Sequence, residues 1–208
     1  MHNVMMAPEV DIIILAAGKG ERSGGFKMGL DIAGKPMIIR AVEVFRRIDG
    51  NIIVVGGYRI DKLREILAEL PQVTIVENPD YEMEMFSSVQ IGARHSTAER
   101  FFIHPGDCVL VPPWVPQKML ETDGDVVIPT FRGRGGHPVL MTAAVRDKIL
   151  REPPSSNLKK VINSVGASRI EVDCDGILFD IDTKEDYLIA RERYERGNFC
   201  AGPPRGPR

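Results

Sequence analysis

Cysteine is scarce in this 208-residue chain: Cys108, Cys174 and Cys200 stand far apart and form no C-x-x-C pair. Three such residues are too few for a disulfide-built scaffold, and with the four histidines they show no zinc-ligand spacing, so a reducing compartment is expected. Long apolar runs are missing as well. None approaches the roughly 18 residues of a membrane span, and the opening residues lack both a positive start and a long apolar stretch, so the reading is cytoplasmic with no membrane partner. Charge of one sign is not in excess either, with 27 Lys and Arg against 29 Asp and Glu. A nucleic-acid footprint is thereby absent, and small molecules are the expected partners.

What the chain does have is a rhythm of short β-branched runs between helical patterns, the mark of βα units around a mostly parallel sheet. Strands are expected at residues 11–15, 51–55, 74–76, 101–104, 126–128, 139–141, 169–172 and 177–181. Helices are expected from Pro36 through Phe45, after a cap at Asp61, and over 85–95, 158–165 and 183–196, the last opened by a capping box from Thr183 to Asp186. The first strands are apolar on both faces, as they must be when helices cover both sides. One domain over 10–197 is expected, between an N-terminal tail at 1–9 and a disordered Gly- and Pro-rich tail at 198–208.

The most informative segment follows the first strand: Leu15-Ala16-Ala17-Gly18-Lys19-Gly20-Glu21-Arg22-Ser23-Gly24-Gly25-Phe26-Lys27. Small residues let a backbone approach a ligand, and glycines allow turns that aim several N–H groups at one anion, with Arg22 and Lys27 adding fixed positive charge. Composition alone also allows an ordinary surface loop with a solvated lysine. It is not a Walker A loop, because Gly20-x-x-x-x-Gly25 is followed by Phe26 rather than lysine. The dinucleotide fingerprint fails at Ser23, where it needs glycine, and no acidic residue ends the second strand to hold a ribose.

The pattern L-A-A-G-x-G-x-R-x-G-x-x-K resembles the signature loop of the nucleotidyltransferases related to molybdopterin-guanine dinucleotide synthase and molybdenum cofactor cytidylyltransferase. Further segments fall in that family's order, among them Val55-Gly56-Gly57-Tyr58, Asn78-Pro79-Asp80-Tyr81, Ser87-Ser88-Val89, Gly106-Asp107, Gly136-His137-Pro138-Val139 and Asp180-Ile181-Asp182-Thr183. The last two look most like the cytidylyltransferase branch. The resemblance implies a single three-layer α/β, Rossmann-like nucleotidyltransferase domain with a mostly parallel sheet. It implies that Leu15, Ala16, Ala17, Gly18, Gly20, Gly57, Asn78 and Ser88 meet the nucleotide, and that Arg22 and Lys27 meet its phosphates. Asp107 and Asp182 would then hold Mg²⁺, while Gly136 and His137 face the acceptor.

The chemistry agrees with those residue types. Attack on an α-phosphorus by an acceptor phosphate needs no strong base, since the phosphate is already ionised, but it does need neutralisation of charge on the phosphoryl oxygens. Oxygen ligands for a hard cation meet that need. Local readings compete at several positions: a turn or cap for Asp107, a helix cap for Asp182, an Asn-Pro turn for Asn78, helix capping for Ser88 and a fixed turn for His137. Arg132, Arg134, Lys159 and Lys160 are candidates for an anionic acceptor or for solvent, and Met83 and Met85 are expected to pack.

The resulting expectation is transfer of CMP from CTP to a phosphorylated acceptor, molybdopterin favoured, with a molybdoenzyme or maturation protein as recipient of the product. A guanylyl- or sugar/alcohol-phosphate nucleotidyltransferase is the alternative within the class. Outside it stand an NAD(P)-dependent oxidoreductase and a non-catalytic carrier of molybdenum cofactor.

Overall fold

A computed structural model describes residues 10–19 and 25–200. Among the described residues seven α-helices and a central sheet form three layers. The sheet runs β10-β7-β9-β6-β1-β4-β5, with β8 (Arg134–Gly135) paired on β7, while β2 (Asp31–Ile32) and β3 (Lys35–Pro36) pair apart from it. At its centre β1 (Val10–Ala16) lies parallel to both β4 (Asn51–Gly56) and β6 (Arg100–Pro105), and β5 (Val73–Glu77) extends the parallel set at one edge. On the other side β9 (Val139–Thr142) runs antiparallel to both β6 and β7 (Val126–Phe131), so β7 regains the direction of β1. The edge strand β10 (Ser168–Glu171) is parallel to β7.

Side chains alternate across β1 and so feed two cores. Ile12 and Ile14 pack with Met37 and Ile38 of α1 (Met37–Glu43), Leu63 and Leu67 of α2 (Ile60–Leu67), and Val115 and Met119 of α4 (Trp114–Leu120). Ile13 and Leu15 point the other way, onto Phe86 and Val89 of α3 (Met85–His95), with Val145 and Ile149 of α5 (Ala143–Arg151) and Val161 of α6 (Leu158–Val165) in the same core. A Cβ at Gly92 would run into Ile13, which is why α3 can lie so close to the central strand. Asp11 is buried at the start of β1, where it accepts hydrogen bonds from Ser96, the Thr97 and Ala98 amides and Asn51. That carboxylate ties the α3–β6 connection to the sheet, far from the strand ends that carry the site.

Several expectations are corrected. The cap of α2 is Arg59, in left-handed backbone at φ 53°, while Asp61 sits in the first turn and pairs with Arg64. Residues 177–181 do not form a strand. Asp175–Leu178 is a 3₁₀ turn, because the Ile177 carbonyl is taken by the His137 amide and Gly176 packs against the Leu110 and Phe199 carbonyls. The final helix, α7 (Lys184–Glu195), does open with the expected Thr183–Asp186 capping box.

The chain end also departs from expectation. Cys174 and Cys200 are joined in a disulfide, so two of the three cysteines are not the separate thiols the spacing suggested; Cys108 remains a buried thiol. Their sequence separation of 26 residues concealed the pairing, since α7 carries the chain back to the 3₁₀ turn. Residues 198–200 are therefore tethered, though Asn198 and Cys200 stay exposed: the Phe199 ring meets Tyr194 edge-on, and its carbonyl accepts from Arg193 at 2.7 Å. Residues 1–9 and 201–208 lie outside the described residues. Among the described residues no helix is long and apolar enough to cross a membrane.

Candidate active site

In an open α/β sheet the carboxyl ends of the parallel strands are where ligands sit. Here the connections leaving those ends are stitched to one another: the Gly106 amide donates to the Leu15 carbonyl at 2.9 Å, and the Tyr58 amide to the Ala17 carbonyl at 3.0 Å. They frame a pocket of about 640 Å³ whose wall includes Leu15, Ala16, Ala17, Gly18 and Ser88 on one side and Asp107, His137, Asp180 and Asp182 on the other. A more open depression of about 820 Å³ beside α1 and α7 is lined by charges already paired, Arg40 with Glu43 and Arg191 with Glu195, and lies away from the strand ends.

The centre of the pocket is Lys27. A short 3₁₀ turn, Lys27–Gly29, brings it back under the strand ends, and only 8% of it is exposed. Its Nζ donates to Asp107 Oδ2 at 2.8 Å and to Asp182 Oδ1 at 3.2 Å. Burial acts to lower its pKa, but the charges and hydrogen bonds of Asp107 and then Asp182 outweigh it, and the ammonium is held above its ordinary range. Asp107 stands just past the end of β6. Its carbonyl accepts from the Ile181 amide at 3.3 Å, which sets the extended segment bearing Asp180 and Asp182 alongside it. Asp182 lies immediately before the Thr183 cap, so it is positioned by α7 without being the cap itself.

Asp180 is the carboxylate that the sequence reading missed. In extended backbone, residues i and i+2 point the same way, and this spacing with Asp182 was the available signal. Partial burial, then the neighbouring charges of Asp182 and Asp107, push its pKa up. Among the described residues no three His, Cys, Asp or Glu side chains converge closely enough to cage a metal unaided. The donor chemistry nevertheless fits a hard cation: carboxylate oxygens of Asp107 and Asp182 already share one positive charge, the Lys27 ammonium, and Mg²⁺ typically takes one or two carboxylates plus water and substrate phosphate.

The remaining expected residues divide. Leu15, Ala16, Ala17, Gly18, Lys27, Ser88, Asp107, His137 and Asp182 all reach the pocket wall. Asn78 does not; it is fully buried, donating to Ser87 Oγ and Ser88 Oγ at 2.9 Å each and accepting from the Asp80 amide, so it braces Ser88 rather than facing a ligand. Gly57 and Gly136 also lie behind the wall. A Cβ at Gly57 would strike Tyr81 and Ala17, and one at Gly136 would strike the Ile177 carbonyl. Gly20 and Arg22 lie outside the described residues. Of the four basic candidates for an anionic acceptor only Arg134 reaches the wall; Tyr81 reaches it without having been assigned a role, and Met83 and Met85, expected to pack, instead stand 51% and 64% exposed at the rim.

Three neutral groups form or back the pocket floor, Cys108 and His137 lining it and His104 lying behind. Burial holds Cys108 well above the ordinary thiol range, with the Asp107 charge adding to the effect, and burial lowers His137. His104, behind them on β6, is fully buried against the Phe45 ring, and burial first, then His137, pull its pKa down to about 3. The floor therefore brings no cation of its own to neutralise phosphate.

A lysine clasped by two carboxylates at the ends of parallel strands, beside a small-residue loop, is an arrangement for triphosphate chemistry, and comparison with known proteins agrees. The MobA-like NTP transferase domain matches residues 12–170. The chain belongs to that family. It is a nucleotidyltransferase, and the nicotinamide-dependent alternative finds no support. The molybdenum cofactor cytidylyltransferase of Escherichia coli K12 is 29% identical over 187 residues, covering 89% of this chain and 97% of the relative. A nucleotidyl transferase from Methanothermobacter shares the fold with a TM-score of 0.81 at 23% identity, over 91% of this chain and 99% of that one. A Mycobacterium tuberculosis protein solved in complex with manganese shares it at TM-score 0.72 and 20% identity, over 90% and 100%.

Proposed function

We propose that this nucleotidyltransferase transfers CMP from CTP to the terminal phosphate of an acceptor, molybdopterin being the favoured one, with release of pyrophosphate. The observation that carries the reading is the Lys27 ammonium shared between Asp107 and Asp182 beside the Leu15–Gly18 backbone. CTP and molybdopterin are favoured because the E. coli relative that covers most of this chain is a cytidylyltransferase of molybdenum cofactor.

In this reading the backbone after β1 receives the nucleotide and Ser88, held by Asn78, meets its base or ribose. Asp107 and Asp182 would hold Mg²⁺, which supplies charge neutralisation on the triphosphate. Lys27 would serve the α- and β-phosphate oxygens and stabilise the charge that builds towards pyrophosphate. Arg22 belongs to the same loop and is assigned to the phosphates with it. The acceptor enters on the His137 side. No side chain has to remove a proton, consistent with a floor of neutral Cys108, His104 and His137.

The enzyme would work in the cytoplasm, where triphosphate is plentiful, and pass its product to a molybdoenzyme or maturation protein. A cytoplasmic enzyme would hold Cys174 and Cys200 as thiols, so a thiol count on freshly isolated protein tests the location. The function is tested by pyrophosphate release with Mg²⁺, each of the four ribonucleoside triphosphates, and molybdopterin beside sugar and alcohol phosphates. CTP with molybdopterin should lead, and Asp107→Ala should lose at least about 100-fold in rate while remaining folded. Preference for GTP, or for a sugar phosphate, would move the assignment within the class; full activity of folded Asp107→Ala would remove the metal assignment.

A further inference from the structure

The pocket wall contains a second cation, and its surroundings differ from those of Lys27. Arg134 opens β8 (Arg134–Gly135), which pairs antiparallel with the end of β7 through Phe131 opposite Arg134 and Thr130 opposite Gly135. The two residues between the strands, Arg132 at φ 50° and Gly133 at φ 76°, are both left-handed, the backbone of a tight two-residue hairpin. Glu171 of β10 pins that hairpin from outside: its carboxylate accepts from the Arg132 amide at 2.7 Å and from Thr130 Oγ1 at 2.6 Å. Arg134 thus projects from a braced strand pair rather than a loose loop.

The other basic candidates are occupied elsewhere. Arg132 lies over the Phe131 ring at 5.1 Å and is not on the pocket wall. Lys160 pairs with Glu152, and Lys159 sits with it on α6, away from the pocket. Lys27 is neutralised by two carboxylates. Arg134, by contrast, has no ion pair or side-chain hydrogen bond among the described residues, so the cost of taking its guanidinium from a partner does not arise.

Its position in the sheet gives this free charge a direction. The small-residue loop follows β1 and Ser88 lies on α3, over the β1–β4–β5 half, whereas Arg134 comes from β8, paired on β7, which lies two strands beyond β6 and Asp107. We infer that Arg134 is the residue that binds the terminal phosphate of the acceptor and selects phosphate monoesters over alcohols. The inference rests on the nucleotidyl-transfer reading. A guanidinium takes a phosphate with two parallel N–H···O bonds and leaves a third oxygen free. That free oxygen forms the new bond to the α-phosphorus as the bond from phosphorus to the bridging oxygen breaks. Pyrophosphate departs with the electron pair, and no proton needs to move from an ionised phosphate.

The test uses the full chain with Mg²⁺ and α,β-methylene-CTP, which cannot release pyrophosphate, and titrates in phenyl phosphate or phenol. Wild type should bind phenyl phosphate and not phenol. Arg134→Ala should weaken phenyl phosphate by about 10- to 100-fold, the loss of a charge-assisted pair, with Arg134→Lys intermediate. Affinity for the nucleotide, measured alone, should stay within about twofold. Equal phenyl phosphate affinity in wild type and Arg134→Ala overturns the inference. So does failure of wild type to bind phenyl phosphate, or a parallel loss of nucleotide affinity, which would put Arg134 on the triphosphate. If wild type does not bind the nucleotide at all, the nucleotidyl-transfer reading and this inference fall together.

Discussion

Replacing Lys27 with methionine keeps the length of the side chain and removes its charge. The ammonium makes two charge-assisted contacts, at 2.8 Å to Asp107 and 3.2 Å to Asp182. Such bonds contribute about 1.5–3 kcal/mol each when buried, but the Asp182 side chain is 52% exposed and its share is largely screened. The Asp107 contact therefore dominates, and its loss leaves three carboxylates facing one another with no cation among the described side chains between them. Lys27→Met should lose about 2–3 kcal/mol in EDTA. Mg²⁺ should restore most of this, because a divalent ion can take the place of the lost charge; at a hundredfold excess over its dissociation constant, binding contributes about 2.7 kcal/mol. Wild type should gain less, since in it the ion has to displace the ammonium. Urea unfolding of both proteins in EDTA and in rising Mg²⁺ measures each quantity. Equal stability of the two proteins in EDTA, or an equal Mg²⁺ increment, would refute the argument that ammonium and metal compete for Asp107 and Asp182.

Two more outcomes follow from the folded state. His104 takes up a proton near pH 6.5 when unfolded but only near pH 3 when folded, so stability is complete above pH 6.5 and declines as the pH falls through that window. Between pH 7 and pH 5 wild type should lose about 2 kcal/mol on this account, and urea unfolding of His104→Leu should show a correspondingly flatter profile. In protein isolated with the Cys174–Cys200 bridge formed, its reduction opens a closed loop set by a separation of 26 residues and should cost about 3.5 kcal/mol; melting with and without dithiothreitol should show the difference in that protein and not in Cys200→Ser.

Much of the fold was legible because local and tertiary demands coincide. β1 is apolar on both faces and is covered on both; α3 and α6 keep the bounds that their apolar spacing gives; and the Thr183 capping box is formed as written. α4 and α5 were missed for a physical reason. Pro113 and Pro116 make α4 read as a turn, and α5 buries only Val145 and Ile149, too few to show a period. In the site, Lys27, Asp107 and Asp182 were each singled out, but separations of 80 and 155 residues hide the ion pairs that join them. Arg132 and Arg134 look equivalent in sequence, and only the hairpin decides which of them reaches the pocket. Asn78 was misplaced because a buried amide that braces a pocket-lining serine has the same spacing as one that lines the pocket itself.

The single reversed strand in the middle of the sheet has an architectural effect. The chain reaches β7 from β6 through α4 and only then returns as β9 between them, so β7 points the same way as β1 and the far half of the pocket is walled by the β7–β8 hairpin. Residues added between 131 and 134 would reshape only the Arg134 side of the pocket, the side proposed for the acceptor, leaving the carboxyl ends of β1 and β6 as they are. A scaffold of this plan can change what it modifies while keeping the donor it uses.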